Sequence, residues 1–560
     1  MNSGIRVFFS AHKEEIALAV IALTALSARL YGLNHVDFYY DTGLFSEGTV
    51  KMIEASDYLN ARAYYFVDHP TTKSYPVGPL FFYLLAPPFL VSSNPVSAAF
   101  YVAVFNTAAV VLFYFMAKRL FDFHVAFAAS MLYAVSPWSV LFSTMPYNYS
   151  FMQFFAVLYL FSLMEFSVRR ESWYIALSLV SLTVLIELSQ TGLLMVPALI
   201  AVLAVLRPRL SYSDVLVGVL TSFLLLTPHL YWESQHHFHD VVNMLSYVAN
   251  RPSSPASGLT LGSFAEYAGR ALSVGAAGEM ERQLGYGSGD FNAGLNGMVK
   301  LLLGAEYHLL LLSLACMSLF TIFFLVRNAK CLSSSIHDLM ERRSLRGVDV
   351  SKAVAVLYLL SLTVAYALAG TPDNRLVLSR YYIVHLPALY LLAGVFASEA
   401  SGWLGRITGK AAAANVFVVL VLASIVVSNI LFLQAYHGFL SGYGYPHGWL
   451  TSEPGLPYVF TEAAVEFMRM DSGARGCRTF TFSDTLKVVN RTCATPGLEY
   501  TARRVFNLSS GRPDPKRNIH YFVFTGRPPR DVRGLFNLTV GPYTVYPEYA
   551  VNPQARVRCV

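Results

Sequence analysis

The chain has 560 residues, 55% of them hydrophobic and 13% charged, with a formal net charge of +7 and a mean hydropathy of +0.47. Soluble domains carry about 25% charged residues, so this composition excludes an ordinary soluble enzyme and describes a chain that crosses a bilayer many times. The basic residues sit in short clusters between apolar runs, which removes nucleic acid as the reason for the positive charge.

The first apolar run, 15–33, is long enough to cross a bilayer and carries Arg29 near its far end. No small-residue cleavage site follows it, so it reads as retained. Asp41 stands where the chain leaves that run, within Asp37-Phe38-Tyr39-Tyr40-Asp41-Thr42-Gly43. Two readings stand for it: a carboxylate placed for chemistry at a membrane surface, or an N-cap, with Thr42 as its neighbour, for a short interfacial helix through Glu47 and Ile53. The run 78–92 (GPLFFYLLAPPFLVS) contains Pro87-Pro88, which disfavours a clean spanning helix. Further spans are expected at 97–117, 124–141, 150–168, 173–189, 192–206, 213–231, 301–326, 353–370, 381–398 and 411–433.

The basic clusters orient these runs. They are Arg6/Lys13, Lys118-Arg119, Arg169-Arg170, Arg207/Arg209, Arg327 through Arg346, and Arg406/Lys410. With 78–92 lying in the interface, all six fall on the cytoplasmic side; with 78–92 spanning, the pattern collapses. The expectation is therefore about eleven transmembrane helices, N-terminus in and C-terminus out, in a polytopic α-helical membrane protein. The segments 34–96, 142–149, 232–300, 371–380 and 435–560 then face outward. The sequons at Asn148, Asn490, Asn507 and Asn537 would all be external.

Most of the candidate chemistry lies in the outward segments. The first loop (about 34–96) holds Tyr40, Asp41, Asp68 and His69; Asn148 opens the run at 150; Glu187 and Gln190 lie near the outer end of another; Asp373-Asn374-Arg375 and Arg380-Tyr381-Tyr382 precede the tenth. Ionisable groups at membrane depth are costly and mark function by default, which raises Glu187 and Arg380 above loop residues such as Glu47. The alternative for Arg380 is an interfacial anchor beside Tyr381-Tyr382. His236-His237-Phe238-His239-Asp240 invites a metal, with His236, His239 and Asp68 as ligand candidates and His69 nearby; the alternative is a solvated amphipathic segment. The Gly/Ser/Ala-rich stretch 240–300 is either a lid over an acceptor site or a plain connection. From about 450 to 560 the composition changes. A helical stretch (EAAVEFMRM) and short β-rich runs predict a small external α/β domain, in which an oxidising exterior would allow a Cys477–Cys493 bridge.

Five motifs in fixed order carry a resemblance. They are the first-loop acid, the His69-Pro70 and Gly78-Pro79-Leu80 stretch, Lys118-Arg119-Leu120-Phe121, Leu132-Tyr133-Ala134-Val135-Ser136-Pro137, and Ser379-Arg380-Tyr381-Tyr382-Ile383-Val384-His385-Leu386-Pro387. In these the chain resembles the C-type (GT-C) membrane glycosyltransferases, in the branch that contains protein O-mannosyltransferases and the aminoarabinose transferases of lipid A. The resemblance covers about the first 400 residues, and implies a transmembrane catalytic domain over 1–434 ahead of the domain at 450–560. It implies a sugar donor carried on a polyprenyl or dolichyl phosphate, and a protein, lipid or glycan acceptor on the extracytoplasmic face of a cell membrane or an ER-type membrane. Asp41 would be the catalytic base. Arg380 would hold the phosphate, with Tyr381, Tyr40, His69, Asn148, Glu187 and Gln190 contacting substrate.

The chain departs from that family in two places. Thr42 stands where members often have a second acid, and Asn148 where many have an Asp, which puts a second catalytic carboxylate in doubt. With a lipid-phosphate donor no cofactor is required, though a divalent metal is allowed. A multi-span flippase or transporter of lipid-linked sugars, or a ligase or polymerase using a lipid-diphosphate donor, are the competing readings. A transporter would show repeated halves, and none is visible.

Overall fold

The computed structural model describes residues 12–33, 38, 41–62, 64, 77–206, 211–249, 265–269, 271, 347–369, 379–443 and 458–474, together with short segments between 479 and 547. Asp68, His69, Tyr40, Cys477, Cys493, Asn490, Asn507, Asn537 and the run 301–326 lie outside the described residues, as does most of 240–300.

The described part is nearly all helical. It comprises α1 (Lys13–Leu30), α2 (Asp41–Ala55), α3 (Pro79–Val91), α4 (Pro95–Leu120), α5 (Phe123–Ala134), α6 (Pro137–Phe142), α7 (Asn148–Arg169), α8 (Trp173–Leu188), a 3-10 turn (Gln190–Met195), α9 (Val196–Leu206), α10 (Tyr212–Gln235), α11 (His239–Ala249), α12 (Gly347–Ala369), a second 3-10 turn (Ser379–His385), α13 (Leu386–Thr408) and α14 (Ala411–Tyr443). Among the described residues six helical stretches are long and apolar enough to cross a membrane: α4, α7, α10, α12, Arg380–Thr408 and Ala411–Leu431.

Local chemistry explains where the helices begin and end. Asn94 caps α4 by accepting from Val96 N at 2.8 Å, and Pro95 follows in the first turn, where a missing N–H costs nothing. Lys118 and Arg119 close the same helix, where the dipole favours cations. The helix α3 is only 13 residues long and holds Pro87 and Pro88 inside it. At 1.5 Å per residue it reaches about 20 Å, short of the ~30 Å hydrocarbon core. It lies against α2 through Phe45 and Phe81, whose ring centroids are 4.7 Å apart.

The apolar run 124–141, expected as one span, is broken. Its helix ends at Ala134, and Pro137 opens a separate six-residue helix capped by Ser136. The break leaves carbonyls without intrahelical partners. Arg29 supplies one: its guanidinium, fully buried, donates to Ala134 O and Ala25 O at 3.0 Å each and to Ser139 Oγ at 2.9 Å. Ser139 in turn donates to Gln153 Oε1 at 2.6 Å. An arginine within the first apolar run thus serves as the cap of a neighbouring helix.

The two ends of the bundle differ. One gathers Lys118 with Glu14, and Arg119 and Arg169 on the buried Glu165, at 2.5 and 2.7 Å. Gly347, opening α12, approaches Val168 at this same end. The other end holds α2, α3 and the site described below. Beyond α14 the chain forms α15 (Tyr458–Ala474) and a four-stranded sheet of β1 (Thr479–Asp484), β4 (Asn518–Thr525), β5 (Leu538–Val540) and β6 (Tyr543–Pro547). The strand order is β1-β4-β6-β5, with β1 and β4 parallel and the other pairs antiparallel. A separate two-stranded ladder joins β2 (Lys487–Val488) to β3 (Arg491–Thr492).

Arg29→Met should destabilise the protein, because it strands the Ala134 carbonyl at the helix break; an unsatisfied buried group costs about 1–3 kcal/mol. Thermal unfolding in detergent measures it, and Arg29→Lys should recover only part of the loss.

Candidate active site

The segment preceding α13 is tied down from α12. Tyr366 Oη donates to Tyr381 O at 2.5 Å and Tyr358 Oη to Val384 O at 2.9 Å, so two buried tyrosines satisfy carbonyls of the 3-10 turn. This fixes the backbone from which Arg380 projects. Its guanidinium donates through Nη1 to Tyr147 Oη at 2.9 Å and through Nη2 to Tyr381 Oη at 3.3 Å. It also lies 5.1 Å from the Tyr381 ring centroid and 5.7 Å from that of Tyr149. An aromatic cage of this kind stabilises a desolvated cation.

Asn148 and Tyr149 open α7 and anchor it to the end of α8. Asn148 Nδ2 donates to Leu188 O at 2.7 Å, and Tyr149 Oη accepts from Ser189 Oγ at 3.0 Å. Asn148 is buried, so the structure gives it a tie between helices. Phe45, one turn after Asp41 in α2, packs on Tyr147 at 5.9 Å between centroids. The helix that Asp41 opens therefore borders the phenol that Arg380 holds. Asp41 is described in its backbone only.

Glu187 lies one residue before Leu188, 1% exposed. Gly78 N donates to its backbone O at 2.8 Å, and a Cβ built on Gly78 would sit 2.2 Å from Glu187 Oε2. Only glycine lets α3 start this close to the carboxylate. Glu187 Oε1 is 2.6 Å from His229 Nδ1. On the far side of the ring, Nε2 is 3.1 Å from Arg62 Nη1 and 3.6 Å from Asp240 Oδ2. Arg62 is fully buried, pairs with Asp240 and with Glu233 (3.4 Å), and lies over the Trp232 ring at 4.1 Å. Asp240 N donates to Glu233 Oε2 at 3.1 Å. The first loop, α8, α10 and α11 are thereby joined by one charged network.

The other sequence candidates divide. Tyr381 belongs to the Arg380 cage, and Gln190 is exposed at the start of its 3-10 turn. His236 stacks on Trp232 with centroids 4.0 Å apart, its Nδ1 2.8 Å from Trp232 O; His239 is half-exposed beside Asp240 and Asn243. Among the described residues, the groups that converge with metal-ligand chemistry are His229, Glu233 and Asp240, with ligand atoms within 4.8 Å of one another. Arg62 stands against all three. Sequence reasoning passed over Arg62, a lone arginine in Leu59-Asn60-Ala61-Arg62; its partners lie 167–178 residues away, and no local pattern signals them.

Residues 68–232 match the family model of dolichyl-phosphate-mannose-protein mannosyltransferases. That window holds Gly78, Asn148, Glu187, His229 and Trp232, and stops short of Asp41 and Arg380. Among solved structures, ArnT from Cupriavidus metallidurans bound to undecaprenyl phosphate is 13% identical, with a TM-score of 0.52 over 96% of this chain and 98% of that one. Its apo form is 12% identical, with a TM-score of 0.52 over 97% and 99%. An oligosaccharyltransferase from Archaeoglobus fulgidus, in complex with Zn and sulfate, is 14% identical, with a TM-score of 0.47 over 91% of this chain and 68% of that one. No curated protein sequence matches the chain. The family model and the ArnT fold point to the branch that the motifs resemble, the protein O-mannosyltransferase and lipid A aminoarabinose transferase branch of the C-type membrane glycosyltransferases.

Two outcomes follow. Burial would raise the Asp240 carboxyl, but the hydrogen bond to His229 and the Arg62 guanidinium override it and hold the group at about 2, below its ordinary 3.8. A depressed carboxyl stabilises the fold fully above its unfolded value and loses that contribution as the pH falls through the folded one. Stability should therefore drop between about pH 4 and pH 2, and Asp240→Asn should flatten that limb of a thermal-melt series. Gly78→Ala should displace Glu187 and cost about 1–3 kcal/mol through overpacking, read by the same melts at neutral pH.

Proposed function

We propose that the chain transfers a sugar from a polyprenyl or dolichyl phosphate to a hydroxyl-bearing acceptor, on a protein, lipid or glycan, at the extracytoplasmic face of its membrane. The observation that carries this reading is the caged guanidinium of Arg380 at the end of the bundle where α2 begins with Asp41. The family match and the fold shared with a structure that binds undecaprenyl phosphate support the donor class. The same reading takes 1–434 as the catalytic membrane domain and 450–560 as an external α/β domain.

The chemistry is a displacement at the anomeric carbon. The acceptor oxygen forms the new bond to that carbon, and the bond to the lipid-phosphate oxygen breaks, with the electron pair leaving on the phosphate. Asp41 takes the acceptor's proton. Arg380 faces the leaving group. It now donates to two phenols; a phosphate in their place would add the attraction of an opposite charge and a bidentate fit to the guanidinium fork. The tyrosine cage and the ties from α12 hold the cation before substrate arrives, so that little reorganisation is needed as charge develops. Tyr381 and Tyr147 would then border the donor oxygens, and Gln190, exposed next to Ser189, would contact the sugar.

Glu187 acts at one remove in this scheme, orienting His229 and through it the Arg62 network. No metal is required, since Arg62 already counters Glu233 and Asp240. A divalent ion at His229, Glu233 and Asp240 is the competing arrangement, in which activity falls on chelation and returns with added metal.

Asp41→Asn retains shape and capping ability, so it should lower release of polyprenyl phosphate from a lipid-phosphate sugar by about 10²–10⁴-fold while leaving thermal stability and donor binding unchanged. Arg380→Ala should weaken donor binding, and Arg380→Lys should recover it in part, because a point charge lacks the bidentate fork. Full turnover by Asp41→Asn would remove the base from the mechanism.

A further inference from the structure

We infer that Tyr500 and Arg504, in the C-terminal segment, are positioning residues for the transfer reaction: together they bracket Asp41 and set the placement of the helix that it opens. The inference rests on the reading of Asp41 as the base. Tyr500 immediately precedes a single π-helical turn, Thr501–Val505, and Arg504 lies within it, a geometry frequent at functional sites. Tyr500 is 1% exposed. Its ring meets Phe38 edge-on at 5.3 Å and Phe89 of α3 at 6.3 Å, and its hydroxyl donates to Ser93 O at 2.8 Å. Arg504 forms a fork on Glu47 of α2, Nε to Oε2 and Nη2 to Oε1, both at 3.1 Å, while Nη1 reaches Glu54.

The placement of these contacts is what gives them a role. Phe38 lies three residues before Asp41 and Glu47 six after it. Glu47 and Glu54, seven residues apart, share one face of α2. Phe45 lies on a different face, packed on Phe81 and Tyr147. The helix α2 is no membrane span and has no hydrocarbon belt to fix its depth. Aromatic packing holds it toward the Arg380 cage, and the arginine fork holds its acidic face from residues 457 positions away in the chain. Bidentate arginine–carboxylate geometry resists both sliding and rotation, which a single hydrogen bond would not. A catalytic group misplaced by about 1 Å loses on the order of 10²-fold in rate, so loosening this fork should act on the chemical step.

The test is a double-mutant cycle of Arg504→Gln and Glu47→Gln in the full-length protein, with Arg504→Lys added. Three readouts are taken: turnover against donor concentration, binding of undecaprenyl phosphate, and amide hydrogen exchange over 41–55. The expected result is faster exchange over 41–55 and kcat lowered about 10–10²-fold, with KM and lipid-phosphate binding unchanged. The double variant should be no worse than either single one, and Arg504→Lys should recover part of kcat. If Arg504→Gln fails to fold, Glu47→Gln carries the same comparison. Unchanged exchange in the variants overturns the clamp. Faster exchange with unchanged kcat, additive losses, or a loss confined to KM overturns the positioning role. Lack of turnover by the wild-type protein with lipid-phosphate sugars overturns the transferase reading and the positioning role with it, while exchange still decides whether the clamp exists.

Discussion

The hydrogen bond from Arg380 to Tyr147 joins residues 233 positions apart, and the arrangement of the site follows from it. A guanidinium at the start of an apolar helix is costly to desolvate, and here acceptors and ring faces surround it. Tyr147, Tyr149 and Tyr381 do so only because α7 begins where it does, and α7 begins there because Asn148 and Tyr149 are tied to the end of α8. The end of α8 is in turn fixed by Gly78 against Glu187. One half-buried cation thus orders the ends of three separate chain segments.

Glu187 connects this cage to the second charged cluster. Its backbone meets Gly78, its side chain meets His229, and its neighbours Leu188 and Ser189 meet Asn148 and Tyr149. Buried ion pairs contribute little net stability when they are intact, yet removing one partner is costly because the other charge is stranded. The Arg62 network has that character. Its members come from the first loop and from α10 and α11, so it serves to hold the first loop against the membrane helices.

The sequence made the site legible wherever one residue was anomalous for its surroundings. Arg380 stood at the mouth of an apolar run, Glu187 near the end of another, and Asp41 at an exit from the bilayer; each is a charge that hydropathy alone does not explain. Partners were legible only when they were close in the chain. Arg62 and Arg504 look like ordinary loop arginines, and their meaning lies in Asp240, Glu233 and Glu47, far away in sequence. The helix break at 135–136 was hidden for a different reason. An apolar run of the right length reads as one span whether or not it bends, although Ser136-Pro137 carries the chemistry of a helix start. Arg29, which pairs with no carboxylate among the described residues, is intelligible only with that break in view.

Nature of the contacts also explains why the protein joins its first loop to its last segment. In a bundle of spanning helices, depth and tilt are set by the hydrocarbon, and side chains within it inherit that placement. A helix outside the hydrocarbon inherits nothing, and α2 must be fixed by contacts of its own. Glu47 gives it a charged handle and Phe45 an apolar one, on different faces. Because the handle that faces away from the bundle can be met only by chain lying outside the membrane, residues after the last apolar helix are the natural source of its partner. Arg504 is that partner, and Tyr500 beside it reaches Ser93 and Phe89, so the same segment that holds α2 also holds α3. Placement of the proposed base and placement of the apolar helix next to it are then one mechanical problem with one solution.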